Sequence, residues 1–157
     1  MSNINIGDKA PEFEMPTKGG ASIKLVDLKG KFVILYFYPK DDTPGCTIEA
    51  GEFNKLKPEF EKLGAVIVGV SKDDLNSHQK FADKYCLEFD LASDKDSGIS
   101  EKYGVWGEKS MYGKTYMGIN RTTFLIDKEG KIAYIWRDVG VNGHASAVLD
   151  KIKELQA

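Results

Sequence analysis

The sequence KFVILYFYPKDDTPGC, residues 31–46, places an apolar run directly before a proline-containing loop and a cysteine. Residues 31–38 are almost all aliphatic or aromatic, a pattern typical of a strand buried on both faces. From Cys46 to Leu63 the apolar residues recur at helical steps of three and four. The stretch therefore predicts a buried strand, a loop and a helix, with Cys46 in the first turn of the helix.

The rest of the chain predicts an alternation of strands and helices. Residues 13–25 favour an N-terminal β-hairpin with Gly19-Gly20 at or near its turn. Further strands are expected at 65–71, 88–93, 121–127 and 131–136, and further helices at 75–85 and 144–156. This order predicts one α/β domain over residues 1–157, a mixed central sheet flanked by helices on both faces. Cys46 would then lie beyond the carboxyl end of a central strand, where open sheets of this kind place their sites.

Three segments carry weaker patterns. Residues 1–11 are expected to form a tail, and residues 106–120, which lack a clear period, to form a long loop. Pro58 lies inside the first helix and is expected to kink or split it near Lys57, because proline removes a backbone hydrogen bond.

Composition excludes several classes of protein. The formal net charge is -2, whereas nucleic-acid-binding domains usually carry a basic face. The longest apolar run, residues 32–38, is far shorter than the ~20 residues of a spanning helix, and no signal peptide is recognisable. Two cysteines do not make a disulfide scaffold. We therefore expect a cytoplasmic protein in which a conspicuous cysteine is reactive or simply buried.

The position of Cys46 favours a reactive thiolate. The first turn of a helix has unpaired backbone N–H groups, and the helix dipole adds positive potential there. Thr43 and Pro44 suit the cap and first position of this helix. The hydroxyl of Thr43 can also turn toward the sulfur and hold a polar substrate atom against it.

Arg121 is a candidate cation for this thiolate. The chain has only two arginines, Arg121 and Arg137, and Arg121 directly precedes the apolar strand TTFLID. A permanently charged guanidinium in that place is anchored by a carboxylate or used at a site. Glu49, one turn beyond Cys46 on the same helix face, is its candidate partner.

These residues resemble the signature of the peroxiredoxins. Pro39, Thr43 and Cys46 in PKDDTPGC, together with Arg121 in GINRTTFLID, carry the resemblance, and APEFEMP and FLIDKEGKI point to the bacterioferritin comigratory protein, or Q-type, branch. The resemblance implies a thioredoxin-like fold and thiol-dependent reduction of hydrogen peroxide and organic hydroperoxides. It implies that Cys46 is the peroxidatic cysteine, that Pro39, Thr43 and Arg121 complete its site, and that Glu49 orients the arginine.

The second cysteine leaves two interpretations open. Many members of this branch carry a resolving cysteine five residues after the first, where this chain has Gly51. Cys86, near the end of the second helix, either resolves the oxidised Cys46 after local unwinding or is a small buried residue in a one-cysteine enzyme. The resemblance also implies recycling by thioredoxin or another dithiol reductant, and a monomer or weak homodimer.

Other functions find less support in the sequence. A thioredoxin-like disulfide reductase needs a Cys-x-x-Cys pair, and Thr43 occupies the place of its first cysteine. A peroxide sensor that passes oxidation to a partner stays open. His78 and His144 have no cysteine or carboxylate neighbours at ligand spacing, so both are expected at the surface, and no metal or cofactor is expected.

Overall fold

The computed structural model describes residues 4–18 and 20–156, with the backbone alone at Met111. The strands are β1 (Glu14–Pro16), β2 (Ser22–Lys24), β3 (Phe32–Phe37), β4 (Ala65–Ser71), β5 (Asp90–Ser93), β6 (Trp106–Met111), β7 (Lys114–Ile119), β8 (Thr122–Ile126) and β9 (Ile132–Trp136). The helices are α1 (Pro44–Lys62), α2 (Leu75–Tyr85), α3 (Ile99–Lys102) and α4 (His144–Gln156), with a 3₁₀ turn at Leu25–Leu28.

A five-stranded mixed sheet forms the centre of the molecule, in the order β5-β4-β3-β8-β9. Strands β3, β4 and β5 run parallel, whereas β8 pairs antiparallel with both β3 and β9. All six residues of β3 are buried, as the apolar run predicts for the middle strand of a covered sheet. The predicted α/β architecture with a mixed sheet is therefore confirmed.

The two faces of the sheet are covered differently. Phe32, Ile34 and Tyr36 pack with buried residues of α1, α2 and α4, whereas the alternate residues of β3 pack with the N-terminal segment and α3. The crossovers β3–α1–β4 and β4–α2–β5 step in the same direction along the sheet, so right-handed connections place α1 and α2 on the same face. The long helices thus share one face, and the N-terminal hairpin β1–β2 and the one-turn helix α3 cover the other.

The prediction of a loop at 106–120 is wrong, because β6 and β7 form an antiparallel hairpin there. Tyr112 and Gly113, the two residues between the strands, both have positive φ, of 53° and 78°. Two positive φ angles in a two-residue connection match the twist that a hairpin turn needs. The ribbon has little burial along β7, so its sequence lacks the apolar alternation that marks a strand with one buried face.

Two smaller expectations also differ from the structure. Residues 4–11 do not form a free tail, since Ile4 and Ala10 are buried and backbone N–H groups of this segment donate to the carbonyls of Gly130 and Ile132. Pro58 does not split α1, which continues from Pro44 to Lys62. Phe60 lies beyond the proline and is completely buried, so core packing holds the last turn in place.

Candidate active site

Cys46 lies at the third position of α1, directly beyond the carboxyl end of β3. The connecting loop turns sharply at Asp42, a non-glycine residue with a φ of 57°, a region that aspartate tolerates better than most residues. Pro44 takes the first helical position, where its missing N–H costs nothing. The side chain of Cys46 faces the core and is only 2% exposed, and the thiol is free.

Thr43 occupies the N-cap position of α1, as expected, but its hydroxyl does not cap the helix. It donates instead to the carbonyl oxygen of Lys40 at 2.9 Å. The backbone N–H groups of Gly45 and Cys46 have no acceptor within the helix, and Thr43 does not supply one. These amides therefore remain available to an anion or a polar ligand beside the sulfur.

Arg121 joins the sulfur and a carboxylate. It directly precedes β8, whose first residue pairs with Phe37 at the end of β3, so the register places Arg121 beside the start of α1. Its Nη2 donates to Cys46 Sγ at 3.3 Å and its Nη1 donates to Glu49 Oε1 at 2.6 Å. The structure therefore brings together the cysteine, the arginine and the glutamate that the sequence picked out.

Gly45 is a site residue that we did not single out from the sequence. A Cβ atom built there would lie 3.2 Å from Arg121 Nη2 and 3.8 Å from Val141 Cγ1. The first contact is tighter than most real Cβ contacts, so the guanidinium approaches the helix closely because residue 45 has no side chain. A glycine between a helix-starting proline and a cysteine is the signal in the sequence.

Glu49 is 1% exposed and has an unusual electrostatic environment. The pKa of its carboxyl group is raised to about 7, chiefly by burial and also by the charge of Glu52, while the guanidinium of Arg121 acts in the opposite direction. Within the described part of the chain, Oε2 of Glu49 has no hydrogen-bond partner. A buried carboxylate oxygen without a donor disfavours the ionised form.

His144 is buried in the vicinity of Arg121, so the prediction that it lies at the surface is wrong. It begins α4, its Nε2 lies 2.8 Å from Thr123 Oγ1, and the rings of Phe53 and Trp136 pack against it edge-on. Burial, together with the charge of Arg121, lowers the pKa of His144 to about 4. His144 is therefore a neutral, hydrogen-bonded core residue at neutral pH.

His78 is also buried, and its expected lack of a carboxylate neighbour is wrong. Its Nδ1 lies 2.6 Å from Asp41 Oδ2, and its Nε2 lies 3.0 Å from the carbonyl oxygen of Ala92. Tyr38 donates to the other oxygen of Asp41. The network fixes the loop before Cys46 to α2 and β5, and the partners are 37 residues apart in sequence, which hid the pair.

Asp73 completes a group of three possible metal ligands with Asp41 and His78, whose donor atoms lie within 4.8 Å of one another. Each of these atoms already takes part in hydrogen bonds within the protein, since Asp73 Oδ2 accepts from the Asp41 amide and the Ser71 hydroxyl. A cation would have to displace those bonds. The expected absence of a metal stays a prediction.

Comparisons with known proteins show which family has this sequence. The profile of the AhpC/TSA family matches residues 6–135. A putative peroxiredoxin bcp of Coxiella burnetii is 52% identical over 150 residues, which cover 96% of this chain and 99% of that protein. Peroxiredoxin Bcp of Bacillus subtilis is 47% identical, with 97% of both chains covered. The chain belongs to the AhpC/TSA family of peroxiredoxins.

Solved peroxiredoxin structures have the same fold. A cysteine-to-serine mutant of Xylella fastidiosa PrxQ superposes with a TM-score of 0.95 at 40% identity over the whole of both chains. The bacterioferritin comigratory protein of Xanthomonas campestris, described for its alkyl peroxide reduction activity, gives 0.87 at 44% identity, with 92% of each chain covered. The thioredoxin-like fold and the Q-type branch predicted from the sequence are therefore confirmed. Among the described helices of this peroxiredoxin, none has both the length and the apolar content needed to cross a membrane.

The second cysteine of this peroxiredoxin is exposed, so the interpretation of Cys86 as a buried small residue is wrong. Cys86 caps α2 in the left-handed conformation, with a φ of 54°. Asn54 of α1 donates to its carbonyl oxygen at 3.0 Å and accepts from the amide of Glu88 at 2.8 Å. Asn54 follows Cys46 by eight residues, or about 12 Å of helix.

Proposed function

We propose that this thiol peroxidase reduces hydrogen peroxide and organic hydroperoxides through a thiolate on Cys46. The observation that carries the proposal is the guanidinium of Arg121, which donates to Cys46 Sγ at 3.3 Å while it is held by Glu49. A fixed cation and the unpaired amides of the first helical turn stabilise a thiolate, which is the nucleophilic form of cysteine.

The surrounding groups suit the attack on a peroxide. Cys46 attacks one peroxide oxygen, and charge develops on the other as the O–O bond breaks. Arg121 and the amides of Gly45 and Cys46 are oriented donors for that charge, which need no rearrangement during the reaction. Thr43 accepts a hydrogen bond from the peroxide, and Pro39, half-buried before the loop, shields the sulfur from water. The product is a sulfenic acid on Cys46.

Cys86 resolves this intermediate in our proposal. Its thiol attacks the sulfenic sulfur, a disulfide forms and water leaves. A disulfide needs Cα atoms within about 7 Å, whereas Cys86 is bound to Asn54, about 12 Å along α1 from Cys46, so we propose that the first turns of α1 unwind before the bond forms. Thioredoxin or a similar dithiol protein then returns both cysteines to thiols, which fits a reducing cytoplasmic setting. We further propose that the enzyme acts as a monomer or weak homodimer, as the resemblance to the Q-type branch implies.

Peroxide consumption in the presence of a thioredoxin system tests this function. We expect turnover in the wild type and none in Cys46→Ser. In Cys86→Ser, we expect one equivalent of peroxide to be consumed and turnover with thioredoxin to fail. Undiminished turnover in Cys46→Ser would refute the assignment of the reactive sulfur.

Intact-mass measurement on briefly oxidised protein tests the resolving step separately. An internal disulfide lowers the mass of the monomer by two hydrogens. A monomer that gains one oxygen instead, with Cys86 still open to alkylation, would refute the role of Cys86 while the peroxidase assignment stands.

A further inference from the structure

The candidate site contains two acidic groups and one cation in a nearly closed space. Cys46 is 2% exposed, Glu49 is 1% exposed, and the side chain of Arg121, which contacts both, is 17% exposed. If the thiol and the carboxyl group were both ionised, two buried anions would share one guanidinium. Like charges in one desolvated site disfavour double ionisation, so one of the two groups retains its proton.

The hydrogen bonds indicate which group keeps the proton. Cys46 Sγ accepts a hydrogen bond from a guanidinium nitrogen and lies in the first turn of α1, where unpaired backbone N–H groups give a positive potential. Glu49 receives one hydrogen bond, on Oε1, and no described residue donates to its Oε2. The site therefore stabilises a thiolate on Cys46 better than it stabilises a negative charge on Oε2 of Glu49. A proton on Oε2 removes the free-energy cost of burying that oxygen without a donor.

The other ionisable groups around Glu49 do not change this assignment. Glu52, on the same helix, is an additional negative charge and raises the pKa of Glu49. Tyr36, on β3, is buried and its pKa is raised, in part by Glu49 itself, so it adds no charge. His144, on α4, is neutral above a pKa of about 4. Arg121 is the one cation that contacts Glu49 in the described chain.

We propose that Glu49 holds a proton while Cys46 is a thiolate, and releases it when peroxide converts the sulfur to a neutral sulfenic acid. The proposal rests on the peroxidase function proposed above. A sulfur lone pair forms the S–O bond, the O–O bond breaks, and its electron pair leaves with the alkoxide or hydroxide. The sulfur is oxidised by two electrons and the peroxide is reduced by two.

The proton of Glu49 balances the reaction. Thiolate, peroxide ROOH and protonated Glu49 give sulfenic acid, the alcohol ROH and ionised Glu49. The leaving oxygen is thus neutralised without a net proton from bulk water. Arg121 contacts one anion both before and after the reaction: first the thiolate of Cys46, then the carboxylate of Glu49. Glu49 acts here as a positioning residue that also stores a proton, because it reaches the sulfur only through Arg121.

Proton uptake in a single turnover tests the proposal. Reduced Cys86→Ser protein, which stops at the sulfenic acid, is mixed at pH 7 with one equivalent of hydrogen peroxide in weakly buffered solution containing a pH indicator. Thiolate content is measured beforehand by ultraviolet absorbance. In the Cys86→Ser parent, we expect well under one proton to be taken up from solution per thiolate oxidised. In the double variant, which also carries Glu49→Gln, we expect one full proton per thiolate. Glu59→Gln, which removes an exposed carboxylate from the same helix, serves as the matched control and should behave like the parent.

The outcomes separate this proposal from the proposed function. If peroxide is consumed and the parent and Glu49→Gln both take up one proton per thiolate, Glu49 is ionised at rest and the proposal is overturned, while the peroxidase assignment stands. If the protein consumes no peroxide, both fail.

Infrared difference spectra of the parent protein provide a measurement that does not depend on how Glu49→Gln folds. The carbonyl-stretching band of a protonated carboxyl group should disappear when one equivalent of peroxide is added. A spectrum without that loss overturns the proposal.

Discussion

Two buried carboxyl groups lie close together in sequence and are treated in opposite ways by the fold. Asp41 accepts hydrogen bonds from Tyr38 and Ser77 and lies 2.6 Å from His78, so both of its oxygens have partners. Glu49 has a partner on one oxygen alone among the described residues. A fully satisfied network gives a rigid position, whereas an incompletely satisfied one stores unfavourable free energy that a reaction can release.

The difference assigns a task to each cluster. The Asp41–His78 pair is locked: the carbonyl of Ala92 can only accept, so Nε2 of His78 carries a proton, and the short contact to Asp41 requires a second proton between the two groups. The pair holds the loop that leads to Cys46. We propose that the Cys46–Arg121–Glu49 cluster carries out the peroxidase chemistry, and the predictions below test this division of tasks.

The largest expected effect is on chemistry, at Arg121. Arg121→Lys removes the planar fork that reaches Cys46 and Glu49 together, so we expect the second-order rate constant for oxidation of Cys46 to fall about 100-fold. Stopped-flow kinetics with hydrogen peroxide measure this constant. Arg137→Lys changes the chain's other arginine, which donates to the carbonyl of Ile4, and should leave the constant unchanged. Equal rates for Arg121→Lys and the wild type would show that the attack on peroxide does not need the planar guanidinium fork.

The second effect is on stability, at Asp41. Asp41→Asn removes a buried carboxylate that Tyr38, Ser77 and His78 contact, so we expect the free energy of unfolding to fall by about 3 kcal/mol. Denaturant titration measures it. Asp42→Asn is the matched control, because it removes a neighbouring carboxylate that is largely exposed and bonded to Lys84 and Tyr85. Equal losses for the two variants would show that the buried pair contributes no more than a surface contact.

These two clusters also show how far the sequence predicts the site. Cys46, Thr43, Arg121 and Glu49 could be selected because a helix start and a strand start are local patterns, and the order of strands brings them together. The Asp41–His78 pair could not, since the partners meet through a crossover and neither residue has a distinctive neighbour. The Pro-Gly-Cys pattern marks Gly45, but its close approach to Arg121 is visible only in the atomic distances.

The elements of the fold also differ in how well the sequence predicts them. The apolar run of β3 and the helical steps of α1 reflect burial, which leaves a periodic signal in the sequence. The β6–β7 hairpin is held mainly by its own backbone ladder and by the positive φ of Tyr112 and Gly113, so its residues show no period. The hydroxyl of Thr43 bonds Lys40 rather than the helix, a choice between two acceptable partners that the sequence leaves open.

The third prediction concerns pH. The pKa of Glu49 is raised from 4.5 to about 7, so the folded state binds the extra proton in this window and stability falls as pH rises through it, by about 3 kcal/mol. The pKa of His144 is lowered from 6.5 to about 4, so its contribution is lost as pH falls through that window. The two effects oppose each other over nearly the same range.

Single substitutions should reveal the two slopes. Relative to the wild type, Glu49→Gln should gain stability as pH rises from 4.5 to 7, and His144→Gln should gain stability as pH falls from 6.5 to 4. Denaturant titration at a series of pH values gives both differences. A difference for Glu49→Gln that is independent of pH would mean that Glu49 titrates normally, and it would remove the physical basis for a stored proton.

The smallest effect is expected at two glycines of α1. A Cβ atom added at Gly51 would meet nothing within 4 Å, so Gly51→Ala should stabilise the helix by about 1 kcal/mol. If the turns that carry Cys46 unwind through this residue to reach Cys86, the same change slows disulfide formation up to about fivefold, since the unwound state becomes less populated. Oxidation of Cys46 itself should keep its rate.

Gly45→Ala should instead slow the first step, the oxidation of Cys46. Its Cβ atom would press on Arg121 Nη2, which takes part in the attack on peroxide before any unwinding takes place. Stopped-flow fluorescence separates the two steps, provided that oxidation and disulfide formation give distinct phases. An unchanged second phase in Gly51→Ala would mean that unwinding stops before residue 51. Cys86, held beside α1 by Asn54, would then have to leave its place to reach the sulfur, and Asn54→Ala would accelerate the second phase.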